Sequence, residues 1–377
     1  MANYKIAVNT RLLIPNKLEG IGRFTHEIML RLVEKHPEVD FVFYFDRTVP
    51  KLPRFSNLEA KKIGPPARRT FLFDWWFNNS VRRQLKKDKV DLFLSPDGFL
   101  SLTTELPQIA VMHDLNFEHY PELLPPKIAA YYRDRFPKFA QKAERIATVS
   151  NYSKQDIVHT YGIAEDKIDI VYNGVSDEFQ PSSSSTHKAT KKKYTNGLDY
   201  FVYVGSIHPR KNIQRLLEAF GEYKKKGGQN KFVLVGESMW KNDELASTLQ
   251  LHSIQQEVVF TGRLGQSELN NVLSSAFAMC FVPLFEGFGI PIIESFQCEV
   301  PVITSNVTSL PEVSGYGALL VDPLSIDEIA FAMAELESNT SLRQELITKG
   351  KKQLEKFSWD QSADDLWECI QKTRGLC

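Results

Sequence analysis

Short apolar runs alternate with longer amphipathic stretches along most of this 377-residue chain. Runs of Val, Ile, Leu and Phe without polar alternation are typical of strands that are buried on both faces of a parallel sheet. The stretches between them repeat apolar residues at the three- to four-residue spacing of amphipathic helices. The alternation therefore predicts an α/β fold, and the length favours two doubly wound, Rossmann-like domains over one.

The apolar runs and the amphipathic stretches define the predicted elements of each half. In the first half, strands are predicted at Lys5–Asn9, Phe41–Phe45, Asp91–Ser95, Gln108–Met112, Arg145–Val149 and Lys167–Tyr172, and helices at Gly22–Lys35, Phe71–Lys87, Pro126–Ala143 and Lys154–Tyr161. In the second half, strands are predicted at Tyr200–Gly205, Phe232–Gly236, Val258–Thr261, Ala278–Val282 and Val302–Thr304, and helices at Asn212–Lys225, Asp243–His252, Gln266–Ser275, Pro291–Cys298 and Ile326–Ser338.

A polar segment separates the two halves. Pro181 and a run of serines lead to Lys191-Lys192-Lys193 and Asn196-Gly197 without apolar periodicity, which is typical of a linker or loop. We therefore predict a first domain over residues 1–180, a linker over 181–197 and a second domain over 198–359. The amphipathic segment at about 360–377 is expected to pack back on the first domain. A ligand site is expected in the interdomain cleft.

Composition limits the possible partners and compartments. Lys plus Arg and Asp plus Glu both number 46, so the net charge gives no reason to expect nucleic acid. No signal peptide is recognisable, and the longest apolar runs are about ten residues, short of the roughly 18 that a membrane-spanning helix needs. Cys280, Cys298, Cys369 and Cys377 lack metal-binding spacing and are expected to be reduced thiols of a cytoplasmic protein.

A glycine turn between two glutamates is the most informative functional motif. Glu286 and Glu294 flank Gly287-Phe288-Gly289-Ile290, which follows a predicted strand and precedes a helix expected to begin at Pro291. Free N–H groups at a helix start favour phosphate, whereas the carboxylates accept hydrogen bonds from hydroxyl groups. A ligand that has both phosphate and many hydroxyls is a nucleotide sugar.

A loop from Gly205 to Asn212 supplies adjacent cations. Arg210 offers a planar fork and Lys211 a compact charge to phosphate oxygens, at the carboxyl end of a predicted parallel strand where ligands usually bind. The alternative is a polar strand-to-helix loop with a capping Asn, but the nearby glutamate motif favours a diphosphate site. Because no D-x-D-like cluster accompanies it, we expect these cations to replace a metal ion, with no cofactor.

Two motifs in the first half remain ambiguous. Gly20-Ile21-Gly22-Arg23 opens a helix about ten residues after the first strand, and it is either a flexible helix start or a loop whose backbone approaches a ligand. His113-Asp114 follows a predicted strand, so His113 either bonds a substrate hydroxyl or takes part in acid–base chemistry, or bonds a loop carbonyl for structural reasons. No G-x-S-x-G nucleophile motif is present.

Residues 61–89 are basic and aromatic. Nine basic residues, Arg68 among them, surround Phe71-Leu72-Phe73-Asp74-Trp75-Trp76-Phe77. Such a segment is able to rest peripherally on the inner face of an anionic membrane. The favoured alternative is an amphipathic helix that packs its aromatic residues on the sheet and leaves its charges in solvent.

With these motifs in place, the chain resembles the retaining glycosyltransferases of family 4, which have the GT-B fold. The resemblance covers nearly the whole chain and is most specific at Glu286-x7-Glu294. Supporting stretches are Thr148–Ser153, Val171–Val175, Tyr203–Asn212 and Val259–Leu264. Two positions depart from the family pattern: Glu19 stands where many relatives have the first of two adjacent glycines, and Glu237 interrupts a turn that is usually glycine-rich.

The resemblance implies a role for each motif. Glu286 would bond hydroxyls of the donor sugar, Glu294 would bond the ribose, and the amides of Gly287, Phe288, Gly289 and Ile290 would contact sugar and diphosphate. Arg210 and Lys211 would stabilise the leaving diphosphate, and Arg263 and Leu264 would lie near the base. His113 would face the transferred sugar, and Gly22 would approach the diphosphate. The first domain would bind the acceptor and the second the nucleotide sugar.

The implied reaction moves a hexose from a GDP- or UDP-sugar to a glycan or lipid-linked acceptor. The segment from His113 to Pro121 resembles bacterial mannosyltransferases of polysaccharide assembly, which favours mannose, with glucose next. Two alternatives remain: a nucleotide-sugar epimerase on a similar fold, and a non-catalytic nucleotide-sugar-binding subunit.

Overall fold

A computed structural model describes residues 4–14, 20–67, 69–237 and 243–375. The chain divides into two compact units, one formed by Met1–Asn173 together with Ser358–Cys377 and the other by Gly174–Phe357. Each unit is built on its own sheet, and every strand pair in both sheets is parallel. The predicted α/β architecture is confirmed.

The first unit has a seven-stranded sheet in the order β3-β2-β1-β4-β5-β6-β7. Its strands are β1 (Lys5–Asn9), β2 (Asp40–Phe45), β3 (Leu58–Lys62), β4 (Leu92–Ser95), β5 (Gln108–Met112), β6 (Arg145–Thr148) and β7 (Ile168–Ile170). Its helices before the second unit are α1 (Gly20–Lys35), α2 (Thr70–Trp75), α3 (Arg82–Asp88), α4 (Asn116–His119), α5 (Pro126–Lys142) and α6 (Asn151–Tyr161). The strand order reverses between β1 and β4, and loops beyond such a switch point commonly hold ligands.

The second unit has a six-stranded sheet in the order β10-β9-β8-β11-β12-β13. Its strands are β8 (Tyr200–Val204), β9 (Lys231–Val235), β10 (Val258–Gly262), β11 (Ala278–Phe281), β12 (Val302–Ser305) and β13 (Ala318–Val321). Its helices are α7 (Ser184–Thr195), α8 (Ile213–Lys225), α9 (Asp243–Leu251), α10 (Gln266–Ser274), α11 (Ile290–Gln297), α12 (Leu310–Ser314), α13 (Ile326–Ser338) and α14 (Thr340–Leu354). Here the strand order reverses between β8 and β11.

The last helix, α15 (Trp359–Thr373), returns to the first unit and packs on α1, β6 and β7. Its apolar face is buried, and its ends are tied by ion pairs of Asp360 with Arg31 and of Lys372 with Asp169. The Trp367 ring also stacks on His36, with 3.6 Å between ring centroids.

The central strands are the most deeply buried parts of both sheets. Ile6, Ala7 and Val8 of β1 are inaccessible to solvent, as are the first four residues of β8. This burial explains why these strands consist of uninterrupted apolar runs, since both faces of the sheet are covered. Cys280, Cys298 and Cys369 are buried free thiols, while Cys377 lies outside the described residues.

The structure corrects the prediction of a loop between the halves. Residues Ser184–Thr195 form α7, whose start is capped by the Ser183 hydroxyl accepting from the Thr186 N–H. This helix packs on α10, and Tyr194 donates a hydrogen bond to Glu268 there. Its exposed lysines and threonines conceal the helical pattern, because only Thr190 and Thr195 are buried.

Candidate active site

Arg210 and Lys211 lie in the loop that leaves the carboxyl end of β8. His208 precedes a single 3₁₀ turn at Pro209–Lys211, and its Nδ1 accepts a hydrogen bond from the Arg210 N–H at 3.1 Å. Asn212 then takes a left-handed conformation, and its side-chain amide donates to the carbonyls of Val282 and Pro323. The loop is thereby held against the segment that follows β11.

The glutamate turn occupies the neighbouring position, after β11. Gly289 has a φ of +99°, and a Cβ atom there would lie 2.8 Å from Leu310, so the turn requires glycine. Ser309 donates from its hydroxyl to the carbonyls of Glu286 and Phe288. Helix α11 begins at Ile290, one residue before the predicted start, with Pro291 in its first turn.

These two loops bring the predicted cations onto Glu286. The Arg210 Nη1 lies 2.9 Å from Glu286 Oε1 and 2.5 Å from the Phe285 carbonyl oxygen, and Lys211 forms an ion pair with the same Oε1. Glu286 itself is 9% exposed. Because β8 and β11 are adjacent where the strand order reverses, the cluster lies where open α/β sheets commonly bind ligands.

The cluster also affects its neighbours. Burial lowers the pKa of His208, and the positive charges of Arg210 and Lys211 lower it further, so this imidazole is neutral near pH 7. Burial raises the pKa of Tyr203, and the Glu286 carboxylate adds to that effect. Both groups therefore line the cluster as uncharged hydrogen-bonding side chains.

The other second-unit candidates lie on the same edge of the sheet or on α11. Glu294 is buried within α11. Burial of the Cys298 thiol raises its pKa to about 12, and the negative charge of Glu294 contributes to this shift. Arg263 is exposed and Leu264 is half-buried, and both follow the carboxyl end of β10. That strand is separated from β8 by β9, so the two loops start about 10 Å apart at the usual strand spacing.

His113 belongs to the first unit and follows β5. Its Nε2 lies 2.8 Å from the carbonyl oxygen of Pro96, and the Phe24 ring meets its ring edge-on at 4.9 Å. Burial lowers the pKa of His113, which favours the neutral ring. Gly22 is buried in the first turn of α1, whereas Glu19, which departs from the family pattern, lies outside the described residues.

A buried polar network at the switch point of the first sheet corresponds to none of the sequence motifs. Asn9, Arg11, Ser95 and Asp97 are all buried, and Arg11 forms an ion pair with Asp97 at 2.5 Å. Asn9 and Arg11 lie more than 80 positions from Ser95 and Asp97 in the chain, so no local motif joins the two pairs. The only available signal is that polar residues follow two apolar strands that become neighbours in the sheet.

Two family profiles match the chain. The profile described as Glycosyltransferase Family 4 matches residues 18–179, and the profile described as Glycosyl transferases group 1 matches residues 186–353. The chain belongs to glycosyltransferase family 4. Among curated proteins, this glycosyltransferase is 27% identical over 356 residues to O-antigen chain mannosyltransferase B of Escherichia coli, covering 91% of this chain and 93% of that protein.

Solved structures show the same fold. Sucrose-phosphate synthase from Thermosynechococcus elongatus superposes with a TM-score of 0.79 at 17% identity and covers 99% of this chain and 100% of that one. WaaG, a glycosyltransferase involved in lipopolysaccharide biosynthesis, gives a TM-score of 0.76 at 13% identity, with 96% and 98% covered. The fold is GT-B, and the family assignment makes the chain a hexosyltransferase enzyme.

Proposed function

We propose that this enzyme transfers a hexose from a nucleoside-diphosphate sugar to a hydroxyl of a glycan or lipid-linked glycan, with retention of anomeric configuration. The observation that carries the proposal is the convergence of Arg210 and Lys211 on Glu286 at the switch point of the second sheet. Two fixed cations suit a diphosphate, and the neighbouring carboxylate suits sugar hydroxyls.

In the proposed reaction, the bond between the anomeric carbon and the diphosphate oxygen breaks while the acceptor oxygen bonds to the same face of that carbon. The acceptor proton passes to the departing diphosphate, so no covalent enzyme intermediate is needed. Arg210 and Lys211 would stabilise the charge that develops on the diphosphate, in place of a metal ion. Donors held ready for such charge are commonly the largest single contribution to catalysis.

The remaining candidates would bind the two substrates. Glu294 would bond the ribose, Arg263 and Leu264 would contact the base, and the amides of Gly287 to Ile290 would contact the sugar and diphosphate. His113 would contact the transferred sugar, and Gly22 would approach the diphosphate. Family membership and the mannosyltransferase relative favour GDP-mannose, with UDP-glucose as the second choice, and a polysaccharide as the product.

A lipid-linked acceptor would bring the enzyme to a membrane surface. None of the helices in the described part of the chain has the length and apolar composition needed to cross a bilayer. We propose instead a cytoplasmic enzyme that contacts the inner face peripherally through residues 61–89. Phe71 is 63% exposed and Trp75 is 50% exposed there, and the basic residues Arg83, Lys86 and Lys87 of α3 are also exposed.

Substitution of the two cations tests the diphosphate assignment. Arg210→Ala or Lys211→Ala is expected to lower the transfer rate on the order of 10²- to 10³-fold, because each removes a positive charge placed for the leaving group. Rates are measured with GDP-mannose and UDP-glucose on a glycan acceptor. Lys225→Ala is the matched control, since Lys225 is an exposed lysine on α8 that pairs only with Glu222 among the described residues. Equal rates in the control and the site variants would refute the assignment.

Product analysis with the donor alone separates transfer from epimerisation. A transferase consumes the donor in step with acceptor addition and returns the donor sugar unchanged. An altered nucleotide sugar formed without acceptor would favour the epimerase alternative instead.

A further inference from the structure

A buried carboxylate, Asp97, organises the switch point of the first sheet. Its Oδ1 accepts from the Asn9 side-chain amide at 2.7 Å and from the Ser95 hydroxyl at 3.1 Å. Its Oδ2 lies 2.5 Å from the Arg11 Nε. The Asp97 and Arg11 side chains are only 4% and 8% exposed, respectively. A buried ion pair costs desolvation energy and is weak evidence for stability, so its presence at this position needs another explanation.

Arg11 is fixed as firmly as the carboxylate. Its guanidinium carbon lies 4.6 Å from the centre of the Phe99 ring and 4.8 Å from that of Phe73, within the range of cation–π contact. Asp97 also accepts from the Phe99 backbone N–H at 3.3 Å. The segment from Ser95 to Phe99 is therefore held by side-chain contacts at both of its ends and has little freedom to move.

These contacts fix the position of the Pro96 carbonyl group, which forms a hydrogen bond with His113. Pro96 lies between Ser95 and Asp97, and its carbonyl oxygen lies 2.8 Å from His113 Nε2. A carbonyl oxygen can only accept a hydrogen bond, so Nε2 must carry the proton. In a neutral ring the other nitrogen, Nδ1, is then a lone-pair acceptor. Among the residues that the structure describes, none makes a hydrogen bond to Nδ1.

The environment of His113 also favours the neutral state of its ring. Burial lowers the pKa of His113 below its ordinary value, while the Pro96 hydrogen bond and the charges of Asp114 and Asp97 oppose this effect only in part. Phe24 packs edge-on against the ring and restricts its rotation. The ring is therefore held in one orientation, with one nitrogen committed to the protein.

We infer that Asp97, together with Asn9 and Arg11, is a positioning group that sets the tautomer of His113, so that Nδ1 accepts a hydrogen bond from a substrate hydroxyl. The substrate contact rests on the proposed sugar transfer, whereas the tautomer does not. His113 would then act as a neutral acceptor that orients a hydroxyl, and the Asn9–Arg11–Asp97 network would act through the Pro96 carbonyl without touching substrate.

Nitrogen NMR of the ¹⁵N-histidine-labelled full-length protein tests the tautomer directly. Comparison with His113→Gln assigns the His113 signals. Near pH 7 the wild-type protein is expected to show a protonated Nε2 and an unprotonated Nδ1. In Asp97→Asn, loss of the ion pair is expected to release the loop and produce a mixture of tautomers, together with a fall in transfer rate of about tenfold or more. A wild-type ring protonated at Nδ1 would overturn the inference.

Asp169→Asn provides a matched control. Asp169 is a largely buried carboxylate of the same unit that pairs with Arg145 at 2.7 Å, and its contacts lie at β6, β7 and α15. Both variants are expected to lose stability, but only Asp97→Asn should change the His113 signals. If both leave these signals unchanged, the network is merely structural and the inference fails.

Asn9→Ala keeps the test open if Asp97→Asn does not fold, because it removes three hydrogen bonds and leaves the ion pair in place. A shift of tautomer in Asn9→Ala supports the network, and an unchanged wild-type pattern contradicts it. A changed tautomer with an unchanged transfer rate would uphold the positioning but refute the substrate contact of His113.

Discussion

Glu286 carries the negative charge that both cations of the candidate site contact. Its Oε1 contacts both Arg210 and Lys211, and the carboxylate is almost fully buried. A diphosphate would compete for the same two cations. The carboxylate would therefore oppose binding of the proposed nucleoside diphosphate, while its hydroxyl contacts would favour binding of the sugar.

Removing only this charge is expected to separate the two effects. Glu286→Gln should bind GDP or UDP roughly 3- to 10-fold more tightly, because the two lost ion pairs are together worth on the order of 1 kcal/mol. Its transfer rate should fall, because the sugar hydroxyls lose a charged acceptor. Calorimetry measures the affinity, with Glu222→Gln as control, a partly exposed glutamate on α8 that also pairs with a lysine. Weaker nucleotide binding in Glu286→Gln would contradict this account.

The site residues differ in how well local sequence predicts their surroundings. Arg210, Lys211 and Glu286 were recognised because each follows an apolar strand, and the structure places all three in one cluster. The Arg11–Asp97 pair was missed because it depends on β1 and β4 becoming neighbours, which no short motif encodes. That Arg11 and Asp97 are buried charges can be recognised only when the fold shows which residues are covered.

At the scale of elements, the turn before α11 depends on Gly289. Its φ of +99° nearly equals the +93° of Gly227, but only Gly289 has a close neighbour, Leu310, in the space a Cβ atom would fill. Gly227→Ala is expected to cost about 1 kcal/mol from backbone strain alone. Gly289→Ala should cost roughly 2–4 kcal/mol, since steric overlap adds to strain, and should also impair transfer by moving the turn. Thermal unfolding and transfer assays measure both effects, and equal losses in the two variants would argue against the steric contribution.

Helices α2 and α3 are joined by a wide π-helical turn, Trp76–Val81, that the sequence pattern did not reveal. The turn contains the buried Trp76 and Phe77, while Phe71 and Trp75 of α2 remain exposed. The favoured expectation of a helix packing its aromatic residues on the sheet therefore holds for only part of the segment. Arg68, one of its basic residues, lies outside the described residues.

The charges of this segment favour an anionic surface as its partner. Its two acidic residues are already paired within the first unit, Asp74 with Arg135 and Asp88 with Lys61. Arg83, Lys86 and Lys87 form no ion pair with any described residue. The segment thus contains two exposed aromatic side chains and uncompensated positive charge, which is the composition that binds membrane interfaces.

Vesicle sedimentation tests this surface. Wild-type protein is expected to sediment with vesicles of phosphatidylcholine and phosphatidylglycerol but not with phosphatidylcholine alone. Phe71→Ser/Trp75→Ser and Arg83→Glu/Lys87→Glu should each reduce binding, since every basic residue near the surface contributes about 1 kcal/mol. Lys188→Glu/Lys192→Glu on α7 changes the same number of exposed charges elsewhere and should bind normally. Binding that falls equally in all charge variants would indicate a general charge effect and exclude a specific surface.

Central strands were predicted better than the edges of the sheets. Lys5–Asn9 and Gln108–Met112 agree with the structure to the residue, because a strand buried on both faces has an uninterrupted apolar run at its centre. The edge strands β3 and β13 were missed. In β3, Leu58-Glu59-Ala60-Lys61-Lys62 has no apolar run, since an edge strand is only partly covered.

At the scale of the whole molecule, the chain order and the division into units do not coincide. The second unit ends at Phe357, and the chain then adds α15 to the first unit. That helix buries Trp359, Ala363, Leu366, Cys369 and Ile370. Phe24 of α1, which packs against His113, also meets the Trp359 ring edge-on at 6.4 Å. The C-terminal segment thus supports the packing behind a candidate site residue that lies more than 200 positions earlier.

Ending the chain after Phe357 is therefore expected to damage the first unit selectively. Each large apolar side chain lost from a core costs on the order of 2–5 kcal/mol, so removing α15 approaches the entire stability of a domain, about 5–15 kcal/mol. Limited proteolysis followed by mass spectrometry should show rapid cleavage within residues 20–173, while 174–357 remains resistant. A chain that ends after Gly375 keeps α15 and should resist cleavage as the full-length protein does. Equal resistance of both units after truncation at Phe357 would contradict this expectation. The first unit would then retain its core without the α15 residues that cover α1, β6 and β7.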